Sequence, residues 1–153
     1  MNTKEMLLKA LKDGRVPEHA TCCFIEECPK KNECLHYLCW SWLWQNRKSG
    51  NSVFPEALRN GECKLFAPLR VVRTAWGFDA LFKDVKLRDA KTLREQMREI
   101  LGSKGQYYRY KLGQRKLLPE QQDEIKRLFS EFGYADVDFD NFSTELDLTK
   151  LRV

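Results

Sequence analysis

The chain has 153 residues, 42% of them hydrophobic and 32% charged, and 27 Lys and Arg against 22 Asp and Glu give a net charge of +5. That length suits one domain, or two small ones sharing a core, and a core of useful size forms without crosslinks. No apolar run approaches the roughly 20 residues that span a bilayer, so no membrane contact is expected, and the mild basicity admits an anionic partner without requiring one.

Residues 1–14, MNTKEMLLKALKDG, read as a short amphipathic helix capped by Thr3. Met6, Leu7, Ala10 and Leu11 form its apolar side, and Asp13 and Gly14 stop it. Without a long apolar core or a small-residue cleavage site, it makes a poor signal peptide. The expected setting is cytoplasmic and reducing, where the six cysteines argue for thiolates or metal ligands ahead of disulfides.

Residues 21–40, TCCFIEECPKKNECLHYLCW, hold five of the six cysteines, and Cys63 follows in NGECKLF. Cys23, Cys28, Cys34 and Cys63 have the spacing C-x4-C-x5-C-x28-C. Three close thiols and one remote thiol converge when the loop folds back. Thiolates are soft ligands that suit zinc or an iron–sulfur cluster, and four of them close a tetrahedral structural zinc site. Zinc is the expected occupant, and the alternatives are an iron–sulfur cluster or no metal. Cys22 stands beside Cys23 as an alternate ligand, and His36 is an alternate to one thiol. Cys39 reads as a small packed hydrophobe. No C-x-x-C pair sets up thiol–disulfide exchange, and neither His19 nor His36 has an evident nucleophile partner.

A helix is expected over 32–48, with Leu35, Leu38, Cys39, Trp42 and Leu43 at spacings of three and four. Trp40, Trp42 and Trp44 crowd this segment. They read either as core or as anchors of a protein-interaction module, since tryptophan is enriched at binding hot spots. After a polar loop over 49–52, Pro55 and Gly61 punctuate the approach to Cys63, and Pro68 closes this half. The expected division is a cysteine-rich lobe over 1–68 and a helical module with an acidic tail over 69–153. No long linker separates the two, so they are expected to pack together.

The second half reads as helical over 75–85, 89–101 and 106–112, and again from Pro119 to Gly133. Ala90, Leu93, Met97, Ile100 and Leu101 form one apolar stripe. Pro119 suits a first helical position and Glu120 the positive end of the helix dipole. The tail YADVDFDNFSTELD carries five acids and no base. Val137 and Phe139 are expected to add a short strand or dock as an extended arm. Asp136, Asp138 and Asp140 alternate without the spacing of a cation-binding loop. The expected fold is mainly α: a metal-stabilised, cysteine-rich N-terminal lobe on a small C-terminal helical bundle with a helix-turn-helix-like outline.

Residues 104–116, KGQYYRYKLGQRK, carry Lys104, Arg109, Lys111, Arg115 and Lys116 and no acid, with Tyr107, Tyr108 and Tyr110 interleaved. Lysine and arginine neutralise phosphates, and tyrosines stack on bases. A helix, Gly102, a short helix and a further helix trace the outline of a helix-turn-helix. Met97, Leu101 and Tyr108 stand at its apolar positions, whereas Arg98 and Lys111 depart from it. DNA or RNA contact is therefore expected through Lys104, Tyr107, Tyr108, Arg109, Lys111, Arg115 and Lys116. The competing readings are core packing of Tyr107 and Tyr110, protein binding through the same face, and an acidic tail folded over it. With no Gly-rich phosphate loop and no Ser–His–acid set, the expected role is non-catalytic: regulatory or accessory.

The run CFIEECPKKNEC followed by GECKLF resembles the start of a bacterial family called domain of unknown function 6078. The later series AWG, YYRY (107–110), LLPEQQ (117–122) and FD (139–140) follows the family's order and spacing, so the likeness covers about residues 17–147. The resemblance implies no activity and no catalytic residues. It implies that Cys23, Cys28, Cys34 and Cys63 are the family's cysteine set, in place of Cys22. Where the family pattern ends with aromatic residues, this chain has Leu146 and Leu148. The second half is also similar to short helix-turn-helix regulators, through YYRYKLGQR and the helices beside it.

Overall fold

A computed structural model describes residues 2–43 and 47–151. It divides into two compact units, Met1–Val71 with Leu146–Val153, and Val72–Glu145. The end of the acidic tail thus groups with the cysteine-rich unit, where the sequence division had placed it with the helices. Among the described residues there are six α-helices and three two-stranded ladders, so the chain is mainly helical.

The first unit opens with α1 (Thr3–Lys12). Its cap is Asn2 and not Thr3. The Asn2 side chain accepts from Glu5 N at 2.9 Å and the Glu5 carboxylate accepts from Asn2 N at 3.1 Å, a reciprocal pair that Thr3 stands one residue too late to make. Strand β1 (Cys22–Cys23) pairs in parallel with β2 (Ser52–Val53), Cys22 opposite Ser52 and Cys23 opposite Val53. Helix α2 (Leu35–Leu43) starts three residues later than expected. Lys31–Glu33 form a 3-10 turn, and Cys34 is extended and bridges antiparallel to Pro68. The side chains of Trp42 and Leu43 and the whole of residues 44–46, Trp44 among them, lie outside what the structure describes, and Arg47 and Lys48, expected as the helix end, are not helical.

A hairpin joins β3 (Leu58–Arg59) to β4 (Glu62–Cys63) through Asn60 at φ 54° and Gly61 at φ 77°. Two consecutive left-handed residues make the type I′ turn that Asn-Gly favours, so Gly61 is part of a strand reversal and not mere punctuation. The unit's core collects Leu7, Ala10, Cys22, Leu35, Cys39, Ala67, Leu146 and Leu151. Its C-terminal segment is tied in twice: Leu151 O accepts from Thr21 N at 2.8 Å, and Arg70 meets the Asp147 carboxylate at 2.8 and 3.0 Å.

The second unit runs through β5 (Val71–Trp76), α3 (Asp79–Phe82), α4 (Leu87–Leu101), α5 (Lys104–Leu112), α6 (Pro119–Glu131) and β6 (Asn141–Leu146). The helix expected over 75–85 is corrected: Ala75 and Trp76 end a strand, and only the single turn α3 follows. Val71, Val72 and Thr74 are β-branched, and residues 71–74 alternate exposed and buried along β5, as strand residues do. β5 pairs with β6, and the bonds Asp140 N to Gly77 O (3.2 Å) and Thr74 Oγ1 to Ser143 O (3.2 Å) set them antiparallel. The strand expected at Val137 and Phe139 therefore lies a few residues later, and Phe139 is core.

Gly77 has φ 85°, and a Cβ there would meet Asp140 Oδ2 at 2.6 Å. The bare backbone lets Asp140 close over the start of α3, where it accepts from Asp79 N (2.9 Å) and Ala80 N (2.7 Å). Lys126 pairs with Asp138 at 3.4 Å. α4 and α6 have the apolar faces the sequence showed, with Leu93, Met97, Ile125 and Phe129 fully buried. Pro119 is in the first turn of α6 as expected.

Burial works to raise the Asp147 pKa, but bonds from Thr149 and Arg70 outweigh it and hold the carboxyl below its usual range. A depressed folded-state pKa contributes stability above the unfolded value, and that stability is lost as pH falls through the folded value. Asp147→Asn is expected to lower unfolding stability at pH 7 by about 1.5–3 kcal/mol, the range for hydrogen bonds to a charged group. In urea titrations the gap to wild type should narrow in acid; a gap constant with pH would show that the charge is not its source.

Candidate functional site

One small cavity in the first unit gathers Cys23, Cys28, Cys34 and Cys63, together with Lys31, His36 and Tyr37. Each thiol arrives by a different local device. β1 is extended, so its two neighbours face opposite ways: Cys22 enters the core with Leu35 and Cys39, and Cys23 packs with Ile25, Val53 and Cys28. Cys28 opens a turn, its carbonyl accepting from Lys31 N at 3.3 Å. Cys34 is held by its bridge to Pro68. Cys63 ends the hairpin and opens another turn, its carbonyl accepting from Phe66 N at 3.2 Å. Glu26 straps the loop, accepting from the Tyr37 hydroxyl at 2.8 Å and Lys31 Nζ at 3.3 Å.

The six cysteines form no disulfide. Burial pushes the Cys23 thiol up; a backbone hydrogen bond from Ile25 opposes this, and Cys34, Cys28 and Cys63 add to it by like-charge repulsion. Cys34, Cys28 and Cys63 are thus near enough for their charge to bear on Cys23. As placed, however, no group of three or more His, Cys, Asp or Glu among the described residues is arranged to hold a metal ion. The thiols share a cavity without closing on one point. Cys39 is fully buried, and burial with Cys22 and Cys34 nearby pushes its thiol up to about 12. That fits the small packed hydrophobe the sequence suggested.

His36 is 1% exposed. Its Nδ1 lies 2.6 Å from Thr21 O. A carbonyl only accepts, so Nδ1 carries the proton. Nε2 is buried and has no hydrogen-bond partner.

The basic stretch forms α5 as far as Leu112, with Arg115 and Lys116 beyond its end, and the structure sorts its residues. Tyr107 and Tyr110 are core, at 3% and 4% exposure. The expectation that Tyr107 meets bases is corrected: its ring packs on Phe78 at 5.1 Å and Arg98 lies over it. Tyr108, assigned above to an apolar helix-turn-helix position, is 42% exposed. Lys116 is committed to Glu145 at 2.8 Å and lies over the Trp76 ring. This ion pair ties the basic stretch to the acidic tail at its far end. Lys104, Arg109 and Arg115 are exposed and Lys111 half-exposed. Arg115 donates to Gln106 Oε1 at 2.9 Å. The start of α5 follows from Gly102 at φ 105° and Ser103, whose Oγ accepts from Gln106 N at 3.1 Å.

The residue patterns of the cysteine loop and of the helical half extend to the whole chain. It belongs to the family of unknown function DUF6078, which it matches over residues 1–148. No curated protein and no solved structure matches it. Membership names no activity, so the site must be read from its chemistry. The sequence reading named His36 as an alternate to one thiol; its bond to the Thr21 carbonyl and its partnerless Nε2 have no signal in the sequence. Of the three tryptophans on the α2 segment, Trp40 is described: it packs on Phe24 at 5.0 Å, and its buried Nε1 makes no well-formed hydrogen bond.

In metal-free, reduced protein the half-exposed Cys28 and Cys63 should alkylate first, Cys23 and Cys34 more slowly, and Cys39 last. Mass-spectrometric mapping of iodoacetamide adducts against time at pH 8 checks the order. Early labelling of Cys39 would contradict its packing.

Proposed function

We propose that this is a non-catalytic regulatory or accessory protein that binds DNA or RNA through the exposed face of α5, and that Cys23, Cys28, Cys34 and Cys63 hold a structural zinc in its cysteine-rich unit. The observation that carries the nucleic-acid reading is the exposed face of that helix. Lys104, Tyr108, Lys111 and Leu112 recur at spacings of three and four, with Arg109 beside them and Arg115 just past the helix end, and residues 103–116 contain no acid. Lys111 lies over the Tyr108 ring at 5.9 Å. Such a face offers cations for phosphates and one ring for stacking. A turn at Gly102 and Ser103 between α4 and α5 agrees with a helix-turn-helix outline. Tyr107 and Lys116, committed elsewhere, have no part in it.

For zinc, the support is electrostatic and steric. Four thiolates in an apolar cavity repel one another, and a dication offsets that repulsion. The cavity, about 20 Å3, has room for one water-sized body, which favours a single ion over an iron–sulfur cluster. Structural zinc contributes about 10–16 kcal/mol of apparent free energy in small zinc peptides, and would add to the stability of a unit built on two-residue strands. Thiolate ligands of this kind suit a reducing, cytoplasmic setting. The alternative is a protein-interaction module on the tryptophan-rich helix. It has one observation of its own: Phe24, 48% exposed, lies against Trp40.

Replacing Lys104, Arg109 and Lys111 together with Gln should weaken binding to duplex DNA. It should also flatten the log–log salt dependence by about 0.9 for each phosphate no longer neutralised. Tyr108→Ala should cost about 1–3 kcal/mol if a base stacks there. Fluorescence anisotropy with duplex and single-stranded probes measures both, and unchanged low-salt affinity in the triple variant would sink the nucleic-acid reading.

Anaerobically purified protein should contain one zinc per chain by elemental analysis and show no visible absorbance. A brown spectrum with iron, or no metal at all, would overturn the zinc assignment.

A further inference from the structure

We propose that His36 Nε2 is a ligand of the ion, so that the first unit binds zinc through one imidazole and three thiolates, with one of the four cysteines spare. The inference rests on the zinc reading above and names a donor that the cysteine pattern does not contain.

His36 lines the same cavity as Cys23, Cys28, Cys34 and Cys63. Its ring is 1% exposed and cannot turn to water for a partner. Nδ1 donates to Thr21 O at 2.6 Å, which fixes the ring's orientation and leaves the lone pair of the neutral ring on Nε2. That nitrogen is buried without a partner. A buried ring nitrogen left without a partner costs roughly 1–3 kcal/mol, and an ion held by the residues that line this cavity would supply one. Imidazoles that bind metals characteristically donate their other N–H to a backbone carbonyl or a carboxylate. The Thr21 bond is that arrangement.

The backbone holds the ring firmly. Thr21 N is bonded to Leu151 O at 2.8 Å, so the residue that orients His36 is anchored from both its N–H and its C=O. His36 is the second residue of α2, two positions after Cys34. The loop and the helix start therefore bring a thiol and an imidazole to one cavity. Five donors for a four-coordinate ion leave one over. Cys23 and Cys34 are buried, whereas Cys28 and Cys63 are half-exposed, so the spare thiol is one of these two.

Zinc K-edge X-ray absorption on the unmodified protein tests the assignment without relying on a variant that must fold. The expected result is three sulfurs at about 2.3 Å and one nitrogen at about 2.0–2.1 Å. A shell of four sulfurs overturns the ligand role of His36 and leaves the four-cysteine site standing. A protein without zinc overturns both. His36→Cys, which replaces one ligand by another, should keep one zinc per chain while the sulfur number rises from three to four. An unchanged sulfur number in that variant overturns the inference.

Discussion

Two successive residues on an extended strand cannot face the same way, and at Cys22–Cys23 this rule decides what each thiol becomes. Cys22 goes to the core and Cys23 to the cavity. The strand is only two residues long, so its register rests on few bonds: Cys22 N to Asn51 O at 3.0 Å, the parallel pairing with Ser52 and Val53, and Thr21 N to Leu151 O. A slip of one residue would exchange the two side chains and present the cavity with a different sulfur. The Thr21 carbonyl that orients His36 belongs to the same short segment. The lining of the cavity therefore depends on how this segment is pinned.

The same economy governs the second unit. Tyr107 and Tyr110 are three apart and share the buried side of α5, while Tyr108, one residue on from Tyr107, is turned outward. Burial also sets their chemistry: it raises the Tyr107 hydroxyl pKa against the opposing effect of the Arg94 charge. Of the cations in this stretch, Lys116 is engaged by Glu145, and Lys104, Arg109, Lys111 and Arg115 are exposed or half-exposed. A stretch that looks uniformly basic and aromatic in sequence is thus divided by helical geometry into a packed half and a presented half.

Much of the fold was legible. α4 and α6 carry long apolar stripes bounded by Gly102, Pro119 and Gly133, and local periodicity suffices for such helices. The spacing singled out Cys28, Cys34 and Cys63 with either Cys22 or Cys23, and one cavity gathers Cys23, Cys28, Cys34 and Cys63. The ladders were not. β1 and β2 are two residues each and lie about thirty positions apart, so neither leaves a period-two signal. β5 was lost because AWG runs directly into the helical turn after it, although Val71, Val72 and Thr74 carried the strand preference. The Asn60-Gly61 hairpin had its signal in plain sight. The position of His36 could not have been read, since it depends on a main-chain oxygen fifteen residues away.

The first unit is discontinuous: residues 72–145 intervene between its two parts. During synthesis the nascent cysteine-rich segment must wait for residues 146–151 before Leu146 and Leu151 can fill its core and Thr21 can find its bonding partner. Until then its sulfurs are exposed to oxidants and to adventitious ions. The second unit is contiguous, yet it too is closed late, by Phe139 in its core and β6 on its ladder. Both units are accordingly completed by one late stretch of chain, residues 139–151.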